Sequence, residues 1–180
     1  MKFGNNPALM VVDAQKGINE VSHWGGNRNN PAAEKNIAAL LHHWRLLDLP
    51  VIIIQHGSIS HTSPLHPDHR GHELMDFVKV RPDEKVILKK TTSAFIQNDL
   101  LQHIERTSIS SLVVTGFVTN NSVESTPRCA GDLGIDAFVV ADATACFDKV
   151  GIDGKKYSSE MVHQLSLANI NDEYASILTK

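Results

Sequence analysis

Residues 111 to 126 read Ser-Leu-Val-Val-Thr-Gly-Phe-Val-Thr-Asn-Asn-Ser-Val-Glu-Ser-Thr, and this stretch decides the fold. The apolar run 112–114 predicts a buried strand, Gly116 and the small polar residues after it predict a turn, and a helical pattern follows. Ser122, at the first helical turn, would lie beside unpaired backbone N–H groups that stabilise an anion. Its side chain is therefore a candidate nucleophile, although the same junction is purely structural in most α/β proteins.

Two more apolar runs end in a charged side chain. Asp13 follows the run 8–12, and Lys89 follows the run 86–88. Loops at the carboxyl edge of a parallel sheet line pockets, and so Asp13, Lys89 and Ser122 are candidates for one site. Taken alone, an aspartate like Asp13 is more often a helix or turn cap and a lysine like Lys89 is far more often a surface residue, and nothing in the spacing separates Lys89 from its neighbour Lys90.

Length and charge narrow the class of protein. A chain of 180 residues predicts a single domain over residues 1–180, which would bury about 70% of its unfolded surface. A net charge of −3 with 21% charged residues argues against nucleic acid or anionic membranes as partners. Cys129 and Cys146 lack CxxC spacing, no secretory signal precedes them, and no apolar run reaches about 18 residues, which together predict a reduced, cytoplasmic protein.

The alternation of strand and helix patterns predicts a three-layer α/β/α domain with a mainly parallel sheet. Asn30 is expected to cap a helix whose apolar stripe faces the core. A fifth strand is expected over 136–141, with Asp142 capping the turn after it. A later helix, starting at Ser158 or Ser159, is expected to supply apolar contacts through Met161, Leu165, Leu167 and Ala168.

Short motifs along nearly the whole chain follow one ordered pattern. They are Val11-Val-Asp-Ala-Gln, Arg28-Asn-Asn-Pro, Ser63-Pro-Leu, Lys89 four residues before Ser93-Ala-Phe, Thr115-Gly-Phe-Val-Thr-Asn, Val123-Glu-Ser-Thr and Asp142-Ala-Thr-Ala. In this pattern the sequence resembles the isochorismatase-like cysteine hydrolase family, in its amidohydrolase branch. The family's catalytic triad is Asp, Lys and Cys, and the resemblance implies Asp13, Lys89 and Ser122 at those positions, with Lys89 chosen over Lys90. The departure is Ser122, where the family's hydrolases carry Cys.

The resemblance also implies the rest of the site. Asp13 would move the proton between nucleophile and leaving amine, the Phe117–Val118 peptide would be cis, and the N–H groups of Val118 and Ser122 would form the oxyanion hole. The expected substrate-binding residues are Gln15, Trp24, His56, Phe95 and Phe117. Ordinary structural roles stay open for four of them. The alternative for Gln15 is a simple loop amide, for Trp24 a residue that covers the core or a subunit contact, for His56 a histidine whose hydrogen bonds are satisfied within the protein, and for Phe95 a part of the core. The family further implies strand order 3-2-1-4-5-6, a small-molecule substrate, no cofactor and a homo-oligomer, either a dimer or a tetramer.

The segment 56–82 raises the question of a metal, because five histidines lie among its prolines. Related nicotinamidases hold a metal with an Asp-x-His motif and a later His. Here Ile54 stands two residues before His56, and Asp68 is followed directly by His69. The sequence therefore predicts no metal and a structural or substrate-lining loop.

Three functions follow for a chain with Ser122. The first is hydrolysis of a C–N bond in a small molecule, whether amide, imide, carbamoyl or lactam, with Ser122 an inactivating replacement of Cys. The second is an isochorismatase-type vinyl ether hydrolase that needs no covalent nucleophile. The third is a pseudoenzyme that binds a small molecule without turnover.

Overall fold

Six parallel strands form the central sheet of the computed structural model, which describes residues 3–179. These strands are β1 (Pro7–Val12), β2 (Val51–His56), β3 (Lys85–Lys89), β4 (Ser111–Phe117), β5 (Ala137–Ala145) and β8 (Ser176–Leu178), in the order β3-β2-β1-β4-β5-β8. A separate antiparallel pair, β6 (Lys149–Val150) and β7 (Lys156–Tyr157), lies between β5 and β8 in the chain. The expected strand order is confirmed, since β8 is the sixth strand of the main sheet.

Helices cover both faces of this sheet. They are α1 (Val21–Trp24), α2 (Ala33–Leu46), α3 (Leu100–Arg106), α4 (Glu124–Asp132) and α5 (Ser159–Ile170). Strand β1 shows the layering, because Leu9 and Val11 join one buried apolar cluster while Met10 and Val12 join the other. Helix α2 packs into the first cluster, and α3, α4 and α5 contribute to the second. A strand covered on both faces reads as a continuous apolar run, and the predicted three-layer α/β/α fold is confirmed.

Three local predictions were wrong. Asn30 does not cap α2, which begins at Ala33; its amide instead donates to the carbonyls of Ala141 and Thr144, at 2.9 and 2.7 Å, and ties its loop to β5. Asp142 lies inside β5 rather than at the start of a turn, because the strand shifts register opposite 114–116 and continues to Ala145.

The third wrong prediction concerns the side chains that helix α5 buries. Its cap is confirmed, since the Ser158 side chain accepts a hydrogen bond from the Met161 N–H. Leu167 is buried as expected, but Met161 and Leu165 are 49% and 58% exposed, and Ala168 is exposed as well. The buried face of the helix also includes His163 and Ser166, because polar partners on neighbouring elements satisfy these two side chains. Within residues 3–179, no helix combines the length and apolarity that crossing a membrane requires.

Candidate active site

The three predicted catalytic residues lie at the carboxyl edge of the sheet. Asp13 directly follows β1, Lys89 ends β3, and Ser122 lies in the turn after β4. Adjacent strands are about 4.8 Å apart, so β3 and β1, with β2 between them, are about 10 Å apart. Only a long side chain from β3 crosses that distance, and the lysine side chain is long enough to do so.

The Lys89 ammonium joins the three residues. Its Nζ donates to Asp13 Oδ2 at 2.8 Å and to Ser122 Oγ at 3.0 Å. The Thr91 carbonyl accepts at 3.1 Å, and His56 Nδ1 lies 3.3 Å away. The ammonium has three protons and four polar neighbours, so hydrogen bonds to these neighbours hold its Nζ in place.

All three residues are removed from solvent. Lys89, Asp13 and Ser122 are 2%, 3% and 6% exposed. Asp13 Oδ2 pairs with Lys89, but within the described residues the buried Oδ1 has no hydrogen-bond partner. Buried carboxylate oxygens are normally satisfied, and so Oδ1 is an acceptor available to the nucleophile or a substrate. The trio expected from the sequence thus comes together in space.

The backbone beneath the site is tightly constrained. Asp13 has a left-handed φ of 49°, uncommon for a residue other than glycine. Gly116 on β4 has φ 116°, and a Cβ at this position would lie 1.9 Å from the Val12 carbonyl oxygen. Glycine at 116 therefore lets β4 lie against β1 directly before Asp13 and keeps the turn of Ser122 close to the carboxylate.

The turn that carries Ser122 is an irregular one over 119–123, and α4 begins only at Glu124. The peptide bond between Phe117 and Val118 is cis. The Val118 carbonyl accepts hydrogen bonds from the N–H groups of Asn121 and Val123, at 2.9 and 3.3 Å. Val118 and Ser122 both border the same cavity, and their role as an oxyanion hole stays a prediction.

A cavity of about 80 Å³ opens beside the trio. Its lining consists of Asp13, Ile18, Trp24, His56, Leu65, Thr92, Phe117, Val118, Asn121 and Ser122. Trp24 is held by a 2.9 Å hydrogen bond to the Gly17 carbonyl and by stacking on Phe147. A cleft of about 420 Å³ beside Lys16 and Arg70 is larger but is lined by no Ser, Cys or His, so chemistry rather than size identifies the site.

Three of the five expected substrate-binding residues, Trp24, His56 and Phe117, line this cavity. Gln15 and Phe95 do not, which corrects the prediction. The Gln15 amide accepts from the His56 N–H at 2.8 Å and donates to the carbonyls of His56 and His72, at 3.0 and 2.8 Å. It clamps the loop after β2 to β1 and has no polar atom to spare.

Phe95 packs against the second apolar cluster instead. The sequence reasoning missed Ile18, Leu65, Thr92 and Asn121, all of which line the cavity. Thr92 and Asn121 could have been found from their closeness in the chain to Lys89 and Ser122. Ile18 and Leu65 carry no such signal, because they reach the site from two separate loops.

His56 is a neutral polar group of the cavity. Burial, and next the Lys89 ammonium, lower the pKa of its imidazole below the usual 6.5. An uncharged imidazole both donates and accepts hydrogen bonds, so His56 can contact a polar group of a ligand without adding charge.

The fold and the buried Asp–Lys–Ser group define the class of protein to which this chain belongs. Residues 7–180 match the isochorismatase domain family, and the chain belongs to this family of hydrolases. It is similar to the crystal structure of a protein from Chromobacterium violaceum described as a hydrolase of that family, with 39% identity, a TM-score of 0.94 and coverage of 99% of this chain and 92% of that one.

The chain is also similar in sequence to two further proteins. The isochorismatase family protein YrdC of Bacillus subtilis (strain 168) is 38% identical over 172 residues, which is 96% of this chain and 91% of YrdC. Nicotinamidase 3 of Arabidopsis thaliana is 31% identical over 97 residues, which is 54% of this chain and 43% of the nicotinamidase.

Proposed function

We propose that the site hydrolyses a C–N bond of a small molecule, in an amide, imide, carbamoyl or lactam group, through an acyl-enzyme at position 122. In this proposal Ser122 replaces the cysteine of the working enzyme and leaves little activity. The observation that supports it is the Lys89 ammonium, which contacts both Asp13 Oδ2 and Ser122 Oγ while Asp13 Oδ1 stays unpaired beside the cavity.

Each residue has one task in this reaction. The Lys89 cation, 3.0 Å from Ser122 Oγ, stabilises an anionic nucleophile at 122. Asp13 takes the nucleophile's proton and returns it to the leaving nitrogen, after which water releases the acyl group. The N–H groups of Val118 and Ser122 receive the negative oxygen of the tetrahedral intermediate.

Serine is a poor nucleophile in this arrangement. A cysteine thiol has a pKa of about 8.5 and is readily ionised beside an ammonium, whereas a hydroxyl ionises far less readily. Serine hydrolases pair the hydroxyl with a base such as histidine, but here His56 contacts Lys89 rather than Ser122. The group that does contact Ser122 Oγ is a cation that donates to it.

The cavity favours a small substrate with an apolar body. Trp24 and Phe117 offer aromatic walls, and neutral His56 offers a hydrogen bond next to the nucleophile. Nicotinamide-like compounds, carbamoyl compounds and lactams are the classes to test. The similarity to a nicotinamidase supports an amide in the substrate.

The test is Ser122→Cys, assayed on a panel of these compounds, with Ser122→Ala as the matched control. The Cys variant should gain hydrolysis by on the order of 10³-fold or more over both other forms, because it restores the covalent route. Asp13→Asn in the Cys background should remove about 10²- to 10⁴-fold of that gain. Hydrolysis of isochorismate that is equal in all three forms would point to the vinyl ether reaction, and silence of every form on every compound would point to a binding pseudoenzyme.

We also propose that the protein is a cytoplasmic homo-oligomer, a dimer or a tetramer. Val150 and Leu165 are 70% and 58% exposed and Ile152 is fully exposed, which leaves apolar side chains on the surface for a second copy to cover. Light scattering of the purified protein tests this, and a monomer at micromolar concentration would contradict it.

A further inference from the structure

The loop between β2 and β3 brings together three side chains that bind metals in other proteins. His61, His66 and Asp68 each place one ligand atom within 4.8 Å of the other two. The rings of His61 and His66 are 4.1 Å apart, and His66 Nδ1 lies 3.5 Å from Asp68 Oδ2. None of the three belongs to the catalytic trio.

The loop holds His66 in place. Its ring is largely buried, and the loop folds through successive tight turns in which the His66 N–H donates to the Ser63 carbonyl at 3.0 Å and the His69 N–H to the His66 carbonyl at 2.9 Å. The Ser58 N–H donates to the Leu65 carbonyl at 3.1 Å and closes the loop. One ligand is therefore fixed by the fold before any ion binds.

The polar atoms around His66 point to a cation. The Asp68 N–H donates to His66 Nδ1 at 3.3 Å, so that this nitrogen acts as an acceptor. The carboxylate of Asp68, also an acceptor, lies 3.5 Å from the same nitrogen. A second imidazole, His61, lies beside both, so that one carboxylate and two imidazoles are within reach of a single ion.

The ligand set selects the type of metal. Two imidazoles and one carboxylate suit zinc and neighbouring divalent transition metals, whereas calcium and magnesium prefer oxygen ligands alone. Zinc binds nitrogen at about 2.0 to 2.1 Å, which places tetrahedral ligand atoms about 3.3 Å apart, so the three ligand atoms must approach one another by up to about 1.5 Å. His61 is exposed and the Asp68 side chain is 77% exposed, so both can rotate toward the fixed His66.

We propose that His61, His66 and Asp68 form a binding site for Zn²⁺ or a similar transition-metal ion. Three protein ligands leave a position for water, as in an open site. The ion would link the two ends of the segment 61–68, and this segment includes Leu65, which lines the active-site cavity. The spacing of His61, His66 and Asp68 differs from the Asp-x-His motif, so the sequence pattern alone predicts no metal here.

The test is calorimetric titration of ZnCl₂ into protein stripped with a chelator. The wild type should bind one equivalent, and His61→Ala and Asp68→Asn should each weaken binding at least tenfold, since each removes one of three ligands. Both positions are exposed, so these variants should fold normally, and their circular dichroism should match the wild type. His42→Ala, an exposed histidine on α2, is the matched control and should bind as the wild type does.

Thermal melting gives a second readout that is independent of catalysis. Zinc should raise the Tm of the wild type and of Ser122→Ala equally, but not that of His61→Ala. The proposal is overturned if the wild type binds no zinc, if His61→Ala and His42→Ala bind alike, or if Asp68→Asn lowers stability equally with and without zinc. The last result would identify the pair of His66 and Asp68 as a simple ion pair.

Discussion

Replacement of Lys89 by methionine tests the buried ion pair that organises the site. Methionine keeps the length and apolar stem of the side chain but removes the ammonium that contacts Asp13 Oδ2 at 2.8 Å. Asp13, 3% exposed, would then have one carboxylate oxygen without its cation and the other already unpaired. Removing one partner of a buried pair leaves an uncompensated charge and costs about 3 to 5 kcal/mol.

That loss is large enough to measure in several ways. In a chain of this size each kcal/mol lowers the Tm by about 2 to 4 °C, so Lys89→Met should lower it by roughly 6 to 20 °C. Urea unfolding followed by circular dichroism gives the free energy of unfolding directly. Lys90→Met is the matched control: Lys90 is exposed, and its replacement should change stability by less than about 0.5 kcal/mol.

A double-mutant cycle with Asp13→Asn separates the pair from the rest of the fold. The asparagine side chain is uncharged, so Lys89→Met should cost much less when it is combined with Asp13→Asn, with a coupling energy of at least about 2 kcal/mol. The reasoning is refuted if Lys89→Met and Lys90→Met are equally stable, or if the coupling energy with Asp13→Asn is close to zero.

Three further predictions rest on other features of the structure. Gly116→Ala should lower the free energy of unfolding, measured with urea, by at least about 3 kcal/mol, since the new Cβ would lie 1.9 Å from the Val12 carbonyl oxygen. In the control Gly134→Ala, where φ is 74° and the new Cβ would have no atom within 4 Å, the loss should be only about 1 to 2 kcal/mol. Burial lowers the pKa of His163 in the folded protein below its usual 6.5, so the unfolded chain binds more protons than the folded protein just below that pH. The free energy of unfolding should therefore fall as the pH drops from 6.5 toward the folded-state pKa, and it should fall less in His163→Gln. Equal pH slopes in the two proteins would contradict this. Burial raises the pKa of the Cys146 thiol to about 12. Iodoacetamide at pH 8 should therefore modify Cys129, and should modify Cys146 only after the protein unfolds. Labelling of Cys146 in the folded protein would contradict the buried position of this thiol.

The sequence predicted the fold well because strands covered on both faces leave a strong signal. The runs 8–12, 51–54 and 112–114 are continuously apolar and buried, and each ends close to the carboxyl edge of the sheet. The trio of Asp13, Lys89 and Ser122 was likewise predicted, but only because ordered motifs selected Lys89 over Lys90. Nothing in local spacing shows that the side chain of Lys89 crosses β2 to reach Asp13.

Predictions that depended on contacts between distant residues were less successful. Gln15 was expected at the substrate, yet its amide is taken by backbone groups of His56 and His72. Met161 and Leu165 were expected in the core because they are apolar, but α5 instead buries His163, whose ring lies 3.0 Å from the Thr119 hydroxyl. A side chain's polarity does not reveal the partners that other elements bring to it.

The central claim is that Lys89 and Asp13 prepare position 122 for a thiolate nucleophile. The most direct measurement is the pH dependence of iodoacetamide alkylation at position 122 in Ser122→Cys, followed by mass spectrometry and compared with Ser122→Cys combined with Lys89→Gln. The claim predicts a thiol that titrates below the usual value of about 8.5 and shifts upward when the ammonium is removed. A thiol that titrates at or above about 8.5, or that is indifferent to the Lys89 replacement in a folded protein, would contradict it.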